Sequence, residues 1–148
     1  MDARLFLEDL YVGQTFISGT FHLDEQQVID FATIYDPQVF HTDPEKATDS
    51  FFKGHAASGW QTAAVTMHLI VTSIPIDCGI IGIGGDLTWL RPVRPGDTLK
   101  AESKVTNIQI SKSKPDRGVV SWLVETKNQH DEVVQNLTTK ILVFRKKP

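Results

Sequence analysis

The chain has a single cysteine, Cys78, among 148 residues, so no disulfide can form within it and a reducing setting is the default expectation. It also lacks an excess of either charge. Fifteen basic residues stand against eighteen acidic ones, with no basic block, which argues against a nucleic-acid partner. Long hydrophobic runs are missing too. The most apolar stretch, Trp60 to Ile76, is broken by Gln61, Thr62, Thr66, His68 and Thr72 and is too short and polar to span a bilayer, so no membrane association is expected. The opening "MDARLFLEDLYVG" has neither the basic start nor the long apolar centre of a signal peptide, and a cytoplasmic location is expected. There is no internal repeat, low-complexity tract or linker-like stretch, and 41% hydrophobic content supplies a sizeable core, so residues 1–148 are expected to form one domain.

What is present changes character near Ile76, from helix-rich to strand-rich, the pattern of an α+β protein. "GQTFISGTFHL" is rich in β-branched and aromatic residues and reads as a strand. "LDEQQVIDFATIYDP" opens with a capping box, Asp24 with Gln27 three residues on, and sets Val28, Phe31, Ala32 and Tyr35 on one helical face. That helix must end near Asp36, because Pro37 disfavours helical geometry in the residue before it. "HTDPEKATDS" suggests a second short helix with Asp43 as cap, Pro44 at the first position and Glu45 on the positive end of the dipole, placing His41 just upstream. A further helix starts at "ASGWQ", where Ser58 and Gln61 are spaced as a capping box. From Ser58 to about residue 73 apolar residues fall on nearly every side, so this helix is expected to be buried within a curved sheet. "GDLTWL", "DTLKAESKVTNIQI", "GVVSWLVETKN" and "EVVQNLTTKILVFRK" supply its strands, separated by turns at "RPVRPG", "SKSKPDRG" and "QHDE". The expected architecture is an antiparallel sheet wrapped on one central helix, about residues 58–73.

Asp36 and His41 therefore flank a short irregular turn, each beside a helix terminus, where they either punctuate two helices or form a proton-transfer pair. Ser58, as a cap, engages an N–H two or three positions on and leaves the Gly59 amide free at the positive end of the dipole.

Four blocks, "EDLYVGQTF", "FATIYDPQVFHTDPEKA", "ASGW" and "WLRPVRPGDTL", resemble in this order the MaoC-like dehydratases, the (R)-specific enoyl-CoA hydratase branch of the hot-dog fold. The most specific parts are the D-x4-H motif followed by T-D-P and the later R-P-V-R-P-G-D-T-L segment. The resemblance covers most of the chain. It implies a hot-dog homodimer, with the loop bearing Asp36 and His41 facing a substrate tunnel, and reversible hydration of 2-enoyl thioesters carried by coenzyme A or an acyl carrier. In that chemistry Asp36 and His41 grip one water and the Gly59 amide stabilises enolate charge on the thioester oxygen, while Ser58, Trp60 and Gln38 are candidates for substrate contact. No metal and no cofactor beyond the thioester is implied. The chain departs from the family's common D-x-N-P-x-H turn, with Gln38 standing for the asparagine and Pro37 beside Asp36. Where some members carry a serine on the central helix, this chain has Met67, and the hydroxyls nearby in sequence belong to Thr62 and Thr66.

Other features carry less. The glycines of "GIIGIGGDL" run into a strand pattern and not the helix that a dinucleotide loop requires. His22, His55, His68 and His130 show no metal-ligand spacing with one another or with Cys78. Lys112, Lys114 and Arg117 are either a solvated turn or contacts for coenzyme A phosphates, and Arg91 and Arg94 are open to the same two readings. Two rival functions stand beside hydration. A hot-dog thioesterase would place a carboxylate on or near the central helix, and no Asp or Glu occurs between Phe51 and Ile76. A non-catalytic hot-dog domain that binds acyl chains or only dimerises is the other.

Overall fold

The computed structural model describes residues 3–148. Strand β1 (Thr15–His22) leads into α1 (Glu25–Tyr35), the four-residue α2 (Val39–Thr42) and a 3-10 turn over Lys46–Asp49, before the long helix α3 (Gly59–Ser73). Strands β2 (Ile81–Trp89), β3 (Thr98–Ile110), β4 (Arg117–Lys127) and β5 (Val133–Phe144) complete the chain. They form one five-stranded sheet in the order β1-β3-β4-β5-β2, antiparallel at every pairing. The α+β hot-dog architecture is therefore what the chain adopts.

Local chemistry explains most boundaries. Asp24 accepts from the Gln27 amide at 2.8 Å while the Gln27 side chain returns to the Asp24 N–H at 2.9 Å, closing the expected capping box on α1. α1 stops at Asp36, whose ψ of 67° leaves the helical region ahead of Pro37. In β4, side chains alternate between partly exposed and buried, so Val120, Trp122 and Val124 line the inner face. Against them α3 sets Val65, Leu69 and Ile70, each worth roughly 1.5–3 kcal/mol when fully buried.

Three local expectations are corrected. His41 lies inside α2, and the short helix expected after it is a 3-10 turn that starts at Lys46 and not at Pro44, with Asp43 capping it through the amides of Glu45 and Lys46. Gln61 does not close a capping box with Ser58. Its amide donates instead to the Gln27 carbonyl at 3.0 Å, tying the first turn of α3 to α1. α3 is also not covered on all sides: Trp60, Ala64, Met67 and Val71, spaced three to four apart, form an exposed stripe along it. β2 is an edge strand, and its Ile81, Ile83 and Trp89 are exposed as well. Among the described residues no helix is long and apolar enough to cross a membrane.

Candidate active site

Asp36 ends α1, His41 belongs to α2, and Ser58 caps α3; the fold brings all three together. Asp36 Oδ2 accepts from Ser58 Oγ at 2.7 Å and lies 3.2 Å from His41 Nε2. Oδ1 accepts from Gln38 Nε2 at 2.6 Å. Burial raises the Asp36 pKa, but hydrogen bonds from Gln38 and Ser58 and the charge of His41 outweigh it, leaving the carboxyl below its ordinary 3.8. It is ionised at neutral pH.

His41 is the more enclosed partner, with 6% of its side chain exposed against 18% for Asp36. Its Nδ1 lies 2.7 Å from the Ala56 carbonyl. A carbonyl can only accept, so Nδ1 carries a proton and Nε2, facing Asp36, is the exchangeable nitrogen. The His41 carbonyl in turn accepts from His55 Nε2 at 2.6 Å. Phe40 and Phe52 pack on the imidazole, with ring centroids 4.6 and 6.0 Å from it.

Ser58 is fully buried and accepts from the Trp60 amide at 3.2 Å, so it caps α3 at the second N–H and not the third. No group among the described residues accepts from the Gly59 amide. That N–H stands at the positive end of a fifteen-residue helix. Gly59 and His41 both line a cavity of about 270 Å³, whose other walls include Phe51, Phe52, Thr62, Trp89 and Leu90. A larger hollow of about 890 Å³ lies between the N-terminal arm and residues 144–148. It borders Ile76, beyond the far end of α3, and at ~1.5 Å of rise per residue that end is about 20 Å from Gly59. Volume does not locate the chemistry here.

The expected substrate contacts divide differently from the sequence reading. Ser58 and Gln38 hold the Asp36 carboxylate, and none of the three residues lines the cavity, which the pair of Asp36 and His41 meets through His41. Trp60 is 60% exposed and packs edge to face on Trp89, also outside the lining. The hydroxyl that reaches the carboxylate is thus that of Ser58, while Thr66 serves another purpose.

Trp89 is the residue that sequence reasoning missed. A Cβ on Gly59 would lie 2.5–2.9 Å from its ring atoms, so the indole rests directly on the glycine. Its Nε1–H donates to Gln135 at 3.0 Å, Gln135 donates to Thr66 Oγ1 at 2.9 Å, and Thr66 lies 2.6 Å from Thr126 Oγ1. Thr66 gives its own hydrogen to the Thr62 carbonyl at 2.8 Å, so Thr126 is the donor to Thr66 and the whole buried chain is satisfied. The only sequence signal was a tryptophan at a strand end before "RPVRPG".

Comparison with known proteins now has a site to refer to. Residues 11–139 match the MaoC like domain, and the chain belongs to that family. It is similar to a crystal structure of a MaoC-like dehydratase from Rhodospirillum rubrum, with 50% identity and a TM-score of 0.95 over 97% of this chain and 99% of that one. An (R)-hydratase from Pseudomonas aeruginosa is 28% identical, with a TM-score of 0.79 over 97% of this chain and 88% of its own. The uncharacterised protein YdeM of Bacillus subtilis (strain 168) is 30% identical over 94% of this chain and 99% of its own length. The family is thus one of hydratases and dehydratases.

Two measurements follow from this geometry. The depressed Asp36 pKa contributes stability that is fully present above the unfolded value of 3.8 and is lost as pH falls through the lower folded value. The stability difference between the wild type and Asp36→Asn is therefore expected to shrink as pH falls below about 4, read from urea unfolding across the acid range. Gly59→Ala is expected to cost about 1–3 kcal/mol by overpacking against Trp89. Trp89→Phe in the same protein should relieve part of that cost, giving a non-additive cycle; strict additivity would mean that the indole does not rest on the glycine.

Proposed function

We propose that this protein reversibly hydrates 2-enoyl thioesters to (R)-3-hydroxyacyl thioesters, as a hydro-lyase. The observation that carries the proposal is the 3.2 Å contact between Asp36 and His41 beside a cavity that His41 shares with the Gly59 amide. Asp36 takes a proton from a water that the Nε2–H of a protonated His41 also holds, as the water oxygen bonds to C3. The C2–C3 π electrons move toward the thioester oxygen, where the Gly59 N–H and the helix dipole stabilise the enolate. The Nε2–H of a protonated His41 then protonates C2, and Asp36 returns its proton to His41 across their contact. One water is consumed, and both groups are restored. Each general acid or base of this kind contributes typically ~10²–10⁴ in rate.

With crotonyl-CoA, loss of enoyl absorbance is the assay, and free thiol measured alongside would reveal thioester hydrolysis instead. Asp36→Asn and His41→Ala are each expected to lower kcat by at least about 100-fold with modest change in thermal stability. Because both act on one water, the double variant should lose far less than the product of the single losses. Multiplying losses would sink the shared-water mechanism.

The functional unit in this reading is a homodimer. The exposed α3 stripe and the apolar edge strand β2 lie next to the half-open cavity, and an exposed apolar edge is a surface that proteins normally cover. Sedimentation velocity at micromolar concentration is expected to give a dimer, and Met67→Asp to shift it toward monomer. A wild-type chain that stays monomeric contradicts this assignment.

A further inference from the structure

Arg94 lies in the "RPVRPG" loop between β2 and β3, half-buried, and it does not line the cavity that holds His41. Its guanidinium donates from Nη2 to the Phe52 carbonyl at 2.6 Å and from Nη1 to the His55 carbonyl at 3.2 Å. It forms no ion pair with a carboxylate among the described residues. Two points fix the loop that carries it. The Arg94 N–H donates to Asp97 Oδ2 at 2.9 Å, and the Asp97 N–H returns to the Arg94 carbonyl at 3.0 Å.

The carbonyls Arg94 holds belong to a strap, residues 52–57, that has no regular secondary structure. The strap passes through two left-handed positions, Lys53 at φ +55° and Gly54 at φ +157°. Nη1 runs 3.4 Å from where a Cβ on Gly54 would sit. This strap supports His41 at both ends: Ala56 accepts from Nδ1 of the imidazole, and His55 donates to the His41 carbonyl. Its last residue is sewn to the Arg94 loop, with the Ala57 N–H donating to the Val93 carbonyl at 2.8 Å. His41 can therefore hold its ring against Asp36 only while the strap keeps its place.

We propose that Arg94 is a positioning residue for His41, acting through the Phe52 and His55 carbonyls, and is not a contact for the phosphates of a thioester carrier. This deepens the hydratase reading and rests on it for the kinetic part of the test. A planar guanidinium spans two carbonyls at once, which the single ammonium of lysine does not. Two of the five guanidinium N–H donors are committed to these carbonyls, which fixes the group against the strap.

The kinetic test uses Arg94→Met, which keeps the apolar stem without donors, and Arg94→Lys, each in the wild type and in His41→Ala. Arg94→Met is expected to lower kcat about tenfold with KM within about twofold, and Arg94→Lys to lose less. In the His41→Ala background, Arg94→Met should change kcat by less than about twofold, since the group it positions is gone. A raised KM at unchanged kcat, or an undiminished loss in the His41→Ala background, overturns the proposal. A second readout needs no activity and uses the nitrogen-15 imidazole spectrum, assigned by its loss in His41→Ala. The Nδ1–H of His41 should be protected from exchange in the wild type and in Asp36→Asn, partly exposed in Arg94→Lys, and exposed in Arg94→Met. Protection in either Arg94 variant equal to that of the wild type overturns the proposal, even if Arg94→Met fails to fold and only Arg94→Lys is measured. If the wild type hydrates no thioester, the hydratase reading fails alone and the ring proton still decides the positioning role.

Discussion

The hydroxyl of Ser58 is the contact on which the site depends. It has one hydrogen and two lone pairs, and it is fully buried, so water cannot substitute for a missing partner. The hydrogen goes to Asp36 Oδ2 and a lone pair receives the Trp60 N–H. A single oxygen thereby starts α3 and pins the end of α1. A hydrogen bond to an ionised group is worth roughly 1.5–3 kcal/mol, about twice a neutral one, and here it also sets the direction in which the carboxylate faces. Because the cap engages the amide of Trp60, the amide one residue earlier is left without an acceptor. The position of the carboxylate and the freedom of the Gly59 N–H thus have one cause.

Around that oxygen the irregular chain between α1 and α3 pairs its polar groups with one another and with Val93 and Arg94 of the β2–β3 loop. The Gln38 N–H returns to the Asp36 carbonyl at 2.7 Å, and the Ala56 N–H returns to the Phe40 carbonyl at 3.2 Å. Carbonyls that no helix or strand could satisfy are taken by the side chains of His41, His55 and Arg94. An unpaired buried backbone group costs about as much as a lost hydrogen bond, so a loop stitched in this way resists opening. One nitrogen stays unmatched: His55 Nδ1 is buried with no partner among the described residues. The site is therefore carried on a loop whose polar groups are paired and whose ends are helix termini, the kind of support that precise geometry requires.

How much of this was legible in the sequence depended on distance along the chain. α1 could be read residue by residue, because its cap, its apolar face and its stop at Pro37 are local. The strands followed from alternation, which needs only neighbours. α2 could not be read, since four residues are shorter than the window in which helical periodicity shows, and His41 was consequently put outside a helix. Gln61 was assigned to the nearer partner, Ser58, although the Gln27 carbonyl, thirty-four residues back, was within reach in space. The apolar circumference of α3 suggested burial on every side, but apolar character alone does not distinguish a face covered by the chain's own sheet from one left at the surface. Trp89 lies thirty residues from Gly59, and Arg94 lies thirty-nine and forty-two residues from the His55 and Phe52 carbonyls it holds. Only the antiparallel sheet and the return of the β2–β3 loop bring them there.

The proton inventory of the Asp36–His41 pair follows from the same constraints. Gln38 and Ser58 stabilise the charged carboxylate, which lowers its basicity and makes protonated Asp36 a state that readily gives its proton away. The Ala56 carbonyl keeps Nδ1 of His41 protonated, so any proton leaving Asp36 has one nitrogen to go to, Nε2 at 3.2 Å. A carboxylate held this way is weak as a standing base, yet water attacking an electrophile becomes acidic as its oxygen bonds to carbon. A short-lived transfer to Asp36 then suffices, provided the proton moves on. In the proposed hydration, the hydrogen bonds that weaken Asp36 as a base thus favour its return to the ionised state after each turnover, and the histidine beside it receives what it releases.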